Sequence, residues 1–289
     1  MTNTGILYLV ATPIGNLEDI TYRAVRTLQE VDMVAAEDTR HALKLFSRYQ
    51  VRKRIISYRE ENRKRQGDYI LSQLLEGKNV ALISDAGMPG ISDPGEDLVR
   101  RAVENGIRAV PVPGPTALIS ALVVSGFSTS AFIFHGFIPK EQAKRRKFLQ
   151  SLIQEKKTIV LYESPHRIKA VIQEIMDTLG DRRVCICREL TKKFEEILRG
   201  TASEILKAVD SSPARGEYVI VIEGLSAGAK ENEREKANSS VIEEMFQLMD
   251  GGMKRSDAAS SVAKSRGISR KEIYTKSLNT NKFKKREPK

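Results

Sequence analysis

The sequence predicts an α/β protein: two α/β units in succession, then a small, basic helical segment. Three observations predict it. Apolar runs of strand length alternate with helix-length amphipathic segments through the first 225 residues. A polar stretch without large apolar residues, SAGAKENEREKANSS (226–240), then breaks the pattern. Beyond it the segments read only as helix, and Lys254 to Lys289 holds twelve basic and three acidic residues, a net of +9 within a total of +11. The expected divisions are 1–118, 119–225, a linker over 226–240, and a basic helical nucleic-acid-binding segment with its tail over 241–289.

Taken in order, ILYLVA (6–11) is a strand and TPIGN (12–16) a turn. YRAVRTLQEV (22–31) is a helix with Ala24, Val25, Leu28 and Val31 near one face. MVAAED (33–38) is a short strand, TRHALKLFSRY (39–49) a helix, IISY (55–58) a strand, and NRKRQGDYILSQLLEG (62–77) a helix closed by Gly77. NVALIS (79–84) is a buried strand, followed by SDAGMPGISDPG (84–95), a helix over 96–106, the strand IRAVPV (107–112), and a turn and helix in PGPTALISALVVSG (113–126). This alternation implies a mostly parallel sheet, whose ligands sit beyond the carboxyl ends of its strands. TPIGN, SDAGMPGISDPG and PGPTA (113–117) all fall there.

The second unit runs through strand AFIFHGF (131–137), helix KEQAKRRKFLQSLIQ (140–154), strand TIVLYE (158–163), helix SPHRIKAVIQEIMDTLG (164–180) and strand RVCICREL (183–190). FEEILRG (194–200) is a strand, TASEILKAVD (201–210) a helix and EYVIVIEG (217–224) the last strand, with antiparallel pairing open to it. After the linker, VIEEMFQLMDGG (241–252), SDAASSVAKSRG (256–267) and ISRKEIYTKSLN (268–279) read as helices. Ser269 and Glu272 fit a capping box, and the glycine turn before them suits a helix-turn-helix. With the tail NKFKKREPK, this end of the chain points to a polyanion partner.

Several classes are excluded. Forty per cent of residues are hydrophobic, enough for a core, but no apolar run approaches the roughly 20 residues of a membrane span. The N-terminus lacks a basic flank and cleavage site, so it reads as a first strand. Cys185 and Cys187 point to one face of a strand, a poor geometry for a disulfide. They are expected as buried thiols of a cytoplasmic protein. His41, His135 and His166 show no ligand spacing, and no metal is expected. The glycine pattern matches neither a Walker loop nor a dinucleotide fingerprint.

The surplus length of SDAGMPGISDPG is what asks for a ligand, since βα connections are ordinarily short. Asp85, Asp93, Glu37 and Asp38 all lie near strand ends and suit ribose hydroxyls or a positive sulfonium. Asp93 can equally be a turn or helix cap; Asp85, at the end of a buried strand, points more to a ligand than to a cap. Gly87 and Gly90 admit positive φ, and Pro89 and Pro94 stiffen the loop. Thr116 and Ala117 open a helix whose N–H groups are free, or Thr116 is simply its cap. Glu163, His166 and Arg167 leave a central strand, with a structural Glu163–Arg167 pair as the plainer reading. Arg188, Glu189, Thr191 and Lys192 leave another.

SDAGMPGISDPG resembles the signature of the ribosomal RNA small-subunit methyltransferase I family, part of the tetrapyrrole-methylase superfamily. The resemblance continues through LYLVATPIGNLEDIT, AAEDTR, VPGPTALISAL, GFIPK, YESPHR, CRELTK and RGEYVIVIEG, covering roughly residues 6 to 224, with no departure from the motif. It implies two α/β domains of that type with S-adenosylmethionine in the cleft between them. The implied reaction is methylation of a cytidine ribose 2′-hydroxyl in the decoding centre of 16S rRNA, by a cytoplasmic homodimer. By analogy the cofactor contacts fall on Pro13, Ile14, Ser84, Asp85, Ala86, Gly87, Met88, Ile91, Thr116, Ala117, Leu161 and Tyr162. For catalysis the expectations are Lys192, if neutral, or Glu163 as base, with Arg188 and Arg167 holding flanking phosphates. Arg167, Lys144, Arg145, Arg146, Lys271 and Lys284 are expected to touch RNA. So are the basic segments 59–65 and 140–147, unless these are solvated helix faces. Two other readings are a tetrapyrrole-type small-molecule methylase and a ligand-sensing DNA-binding regulator. The basic C-terminal segment argues against the first, the tandem loops against the second.

Overall fold

A computed structural model describes residues 4–210, 216–225, 242–266, 269 and 273. The linker 226–240, Lys271, Glu272 of the expected capping box, Lys284 and the basic tail lie outside the described residues. The chain divides into two compact units, 1–225 and 226–289.

The first unit holds two five-stranded sheets. One contains β1 (Ile6–Val10), β2 (Met33–Ala36), β3 (Arg54–Ser57), β4 (Val80–Ile83) and β5 (Arg108–Val112), all parallel, in the order β3-β2-β4-β1-β5. β2 and β4 are buried on every residue, so they read as continuous apolar runs rather than alternating ones. Helices α1 (Tyr22–Glu30) and α2 (Thr39–Tyr49) build the core on one face through Leu28, Leu45 and Phe46. Helices α3 (Arg63–Leu75) and α4 (Gly95–Glu104) cover the other through Ile70, Leu74 and Leu98. Caps set these helices: Thr21 Oγ1 accepts from the Ala24 N–H (3.1 Å), and the Asp38 carboxylate from the Arg40 N–H (2.8 Å). The chain leaves β1 toward β2 on one side and β4 toward β5 on the other. β1 and β4 are neighbours, so the topological switch point lies between their carboxyl ends.

The second sheet contains β6 (Phe132–Phe137), β7 (Thr158–Glu163), β8 (Arg183–Arg188), β9 (Glu196–Thr201) and β10 (Tyr218–Ile222), in the order β6-β7-β10-β8-β9. Only β6 and β7 run parallel; the other pairs are antiparallel. Helices α6 (Gln142–Ser151), α7 (Ile168–Leu179) and α8 (Ala202–Asp210) bury one face, with Leu149, Ile172 and Ile175 fully buried and Ile205 nearly so. Each such side chain contributes about 1.5–3 kcal/mol by leaving water. The other face takes α5 (Ala117–Ser125), whose Leu118, Ala121 and Leu122 meet Val160, Cys185, Val219 and Val221. Ile14 and Ile91, from loops of the first sheet, join this same cluster. α7 begins at Ile168, later than SPHRIKAV suggests, because Ser164–Arg167 form a turn closed by the Arg167 N–H on the Ser164 carbonyl (3.2 Å).

In the second unit, helices α9 (242–250) and α10 (Arg255–Arg266) enclose Met245, Ala258, Ala259, Val262 and Ile273. Among the described residues no helix is long and apolar enough to cross a membrane.

Candidate active site

The loop 84–95 is tied into place by its own polar groups. Thr12 and Gly87 exchange both backbone hydrogen bonds (2.9 and 3.0 Å), and Thr12 Oγ1 donates to the Ser84 carbonyl (3.1 Å). The first turn and the long loop therefore meet at the switch point. Gly87 has φ of 81°, a left-handed conformation that favours glycine. The Asp93 carboxylate folds the loop on itself, accepting from the N–H groups of Gly90 (2.8 Å) and Gly95 (2.7 Å). Asp85 Oδ1 accepts from the Asp38 N–H (2.8 Å), tying the end of β4 to the end of β2, with His41 Nδ1 3.6 Å from Oδ2. Burial pushes the Asp93 carboxyl above the usual aspartate range. It does the same to Glu37, aided by the negative charges of Asp85 and Asp93. The cluster thus concentrates negative potential that a cationic ligand would relieve.

Against this loop lies a pocket of about 450 Å³ within the first unit, in the size range of small-molecule sites. Ten of the expected cofactor contacts line it: Ile14, Ser84, Asp85, Ala86, Gly87, Met88, Ile91, Thr116, Ala117 and Tyr162. Thr116 opens α5 without a side-chain capping bond. Pro13 and Leu161 do not line the pocket. Leu161 alternates to the far face of β7 and packs, fully buried, in the core under α7. The opposite wall holds residues that the sequence reading did not single out: Phe137, Leu190, Glu217, Tyr218 and Val219. Phe137 reaches it through a register shift between Phe134 and Phe137, where Gly136 takes φ of 62°. A Cβ at Gly136 would fall 2.8 Å from Ser92 Oγ, so glycine there lets β6 approach the loop. Phe137 and Tyr162 pack edge to face at 5.5 Å.

The expected catalytic residues separate. Lys192 lines the pocket, its Nζ 2.9 Å from Glu189 Oε1 and 3.6 Å from Glu217 Oε2. Burial alone would lower its ammonium, but the Glu189 hydrogen bond and the charges of Glu217 and Glu189 outweigh that and raise it. The neutral lysine base anticipated from sequence is therefore disfavoured. Glu163 is buried at the wall. Its Oε1 accepts from the Ser164 N–H (2.5 Å) and pairs with the Arg167 guanidinium (2.7 Å), while Oε2 is a buried acceptor without a partner. Arg167 also donates to the carbonyls of Ile138 and Pro139 (3.3 Å each), so the plainer reading of a structural pair is what the geometry supports. Arg188 alternates away from pocket-lining Cys187 and pairs with Glu196 (3.2 Å).

Of the residues expected on RNA, Lys144 and Arg146 are exposed, Lys144 beside Glu141 (2.8 Å). Arg145 is a correction. It is 7% exposed, and its guanidinium makes two 2.7 Å bonds to Glu174, pinning α6 on α7. Cys185 and Cys187 are free and buried, their sulfurs 3.8 Å apart. Among the described residues no group of three or more His, Cys, Asp or Glu could hold a metal.

The chain belongs to the tetrapyrrole (corrin/porphyrin) methylases, whose family model matches residues 6–206. Solved structures share the fold. Cobalt precorrin-4 methyltransferase superposes with a TM-score of 0.58 at 21% identity, covering 75% of this chain and 94% of that one. Diphthine synthase gives 0.59 at 12%, covering 76% and 90%. Within the family the sequence is more specific. It is 45% identical over 276 residues to the ribosomal RNA small subunit methyltransferase I of Synechocystis sp., covering 95% of this chain and 98% of that protein. Its identity to the Bacillus subtilis protein of the same name is 40% over 274 residues, 94% of each chain. The Thermotoga maritima protein is 48% identical over 220 residues, which span 76% of this chain and 99% of that protein. This chain is thus a member of the ribosomal RNA small subunit methyltransferase I family, as the resemblance in SDAGMPGISDPG implied.

Proposed function

We propose that the protein transfers a methyl group from S-adenosylmethionine to the 2′-hydroxyl of a cytidine ribose in the decoding centre of 16S rRNA. The observation that carries this reading is the pocket, where the family's signature loop faces a wall bearing Lys192 and Glu217. The lining suits such a cofactor. Apolar Ile14, Ile91 and Tyr162 stand beside Glu37, Asp85 and Asp93. S-adenosylmethionine supplies an activated methyl group on a positive sulfonium.

The chain's own residues then have two tasks. The first is alignment for in-line displacement, which the tied loop serves by being fixed before substrate arrives. The second is removal of the hydroxyl proton. Lys192 is charged and cannot accept it, but its ammonium stabilises an oxygen that is becoming negative. Glu217, mostly exposed at the pocket and 3.6 Å from Lys192 Nζ, is the carboxylate placed to receive the proton. Arg146 and Lys144 on α6, with the basic C-terminal segment, supply phosphate contacts. A homodimer in the cytoplasm completes the reading. Ile119 and Val123 leave an apolar stripe exposed on α5, 43% and 65% accessible, which a second copy would cover.

The test uses labelled S-adenosylmethionine and small ribosomal subunits from a strain lacking the protein. Label should appear as 2′-O-methylcytidine, be lost with Asp85→Ala, and fall by about 10²-fold or more with Glu217→Gln. Cofactor binding without any labelled rRNA would overturn the reading. It would favour a small-molecule methylase, the class to which cobalt precorrin-4 methyltransferase, of like fold, belongs by name.

A further inference from the structure

We propose that Phe194 is a stacking platform for a nucleobase of the RNA substrate, held beside the pocket by the same turn that carries Lys192. The proposal rests on the RNA-methylating reading above.

Phe194 is 71% exposed, so it has no core to serve. It occupies the third position of a turn closed by the Glu195 N–H on the Lys192 carbonyl (3.1 Å). The segment leading into that turn is strained. Glu189 and Thr191 have φ of 50° and 67°, a left-handed conformation that is costly for a β-branched residue. Neighbouring groups hold it there. The Thr191 N–H donates to Glu195 Oε2 (2.7 Å), and Thr191 Oγ1 accepts from the Asn16 N–H (3.0 Å). A Cβ on Gly15 would lie 2.5 Å from Lys192 Cγ, so the first turn of the chain presses against this one. The consequence of all this restraint is to fix two side chains: Lys192 in the pocket wall and, two residues on, an aromatic ring facing water.

The charge around the ring selects its partner. Lys193 Nζ lies 5.7 Å from the Phe194 ring centroid, while the Lys192 ammonium is engaged by Glu189 and Glu217. An exposed ring with an ammonium group beside it suits a base with its phosphate better than an apolar protein surface. A ribose delivered to the pocket also brings its own base and its neighbours, which leave their stack and need a new one. Nothing in the binding of the cofactor calls for Phe194, which does not line the pocket.

The chain has no tryptophan, so Phe194→Trp creates a single fluorescent reporter at this position. Its emission should be quenched by a short single-stranded oligoribonucleotide and not by the same chain made abasic. With unmethylated small subunits, Phe194→Leu should raise KM about tenfold, in line with the loss of one stacked base, with kcat and cofactor affinity retained. Phe194→Tyr should restore KM. A Leu variant with wild-type KM, or tryptophan emission that tracks protein concentration rather than RNA, would overturn the proposal. The second result would assign the ring to contact with another copy. If wild-type protein does not methylate the subunits at all, the functional reading fails instead, and the two failures are told apart.

Discussion

Lys192 shows how one residue's chemistry is set by its neighbours. Its ammonium is desolvated, yet Glu189 and Glu217 hold it above the usual lysine value of 10.5. Glu189 in turn loses solvent, but the Lys192 hydrogen bond and the Glu217 N–H keep it below 4.5. The sign of the linkage follows. The lysine's contribution is complete below about 10.5 and lost as pH rises through the higher folded value. The glutamate's contribution is present above about 4.5 and lost as pH falls through the lower folded value. Activity should therefore be insensitive to this pair across neutral pH. In Glu189→Gln the lysine loses its principal charged partner, so the alkaline limb of kcat/KM should move to lower pH. An unmoved limb would remove the pair from the mechanism. The sequence showed Lys192 leaving a buried strand but not the protonation state that its partners impose. Arg145 illustrates the same gap. In KEQAKRRK it is one cation among several, and only the packing of α6 on α7 separates it from its exposed neighbours Lys144 and Arg146.

The loop 84–95 is held as a unit by Asp93, which accepts from two backbone N–H groups at once. Asp93→Ala would leave both amides without that acceptor, at about 1–3 kcal/mol for each group left buried and unpaired. The expected result is a lower Tm and a loss of cofactor affinity. Asp93→Asn keeps Oδ1 as an acceptor and should bind nearly as wild type. The raised carboxyl of Asp93 adds a pH signature. A folded value above 3.8 means that the native state holds the proton more tightly. Stability is then lost as pH rises through that window, and the Asn variant should gain on wild type over the same interval. A Tm difference independent of pH would contradict it. The loop was legible because glycine, proline and aspartate announce turns, and α2 spans the expected Thr39–Tyr49, where the structure adds an Asp38 cap that the sequence reading did not name. The wall opposite was not legible. Its turn uses left-handed Glu189 and Thr191 rather than glycines, and Phe137 enters through a bulge that alternation does not reveal. Leu161, expected by analogy beside Tyr162, and Arg188, expected beside Glu189, do not line the pocket: their strand neighbours Tyr162 and Cys187 do, and adjacent residues of one strand cannot share a face.

The chain separates chemistry from charge. Four hydrophobic clusters and the pocket lie within residues 1–225, and the second unit has its own small cluster around Met245 and Val262. Lys254 to Lys289 carries a net of +9, against +2 for everything before it. The Thermotoga maritima relative, matched over 220 residues that make up 99% of it, is about the length of the first unit alone. A chain ending at Leu225 should accordingly fold, bind S-adenosylmethionine with wild-type affinity, and retain methyl transfer at saturating small subunits. What it should lose is affinity for those subunits at moderate salt. Each phosphate contact removed lessens the slope of log K against log[salt] by roughly 0.7–0.9, so the truncated protein's binding should depend visibly less on salt and converge with the full chain's at high salt. Parallel salt slopes for the two proteins would show that the basic segment does not touch RNA. The phosphate contacts would then have to come from the cations of the first unit, with the exposed Lys144 and Arg146 the next to be replaced.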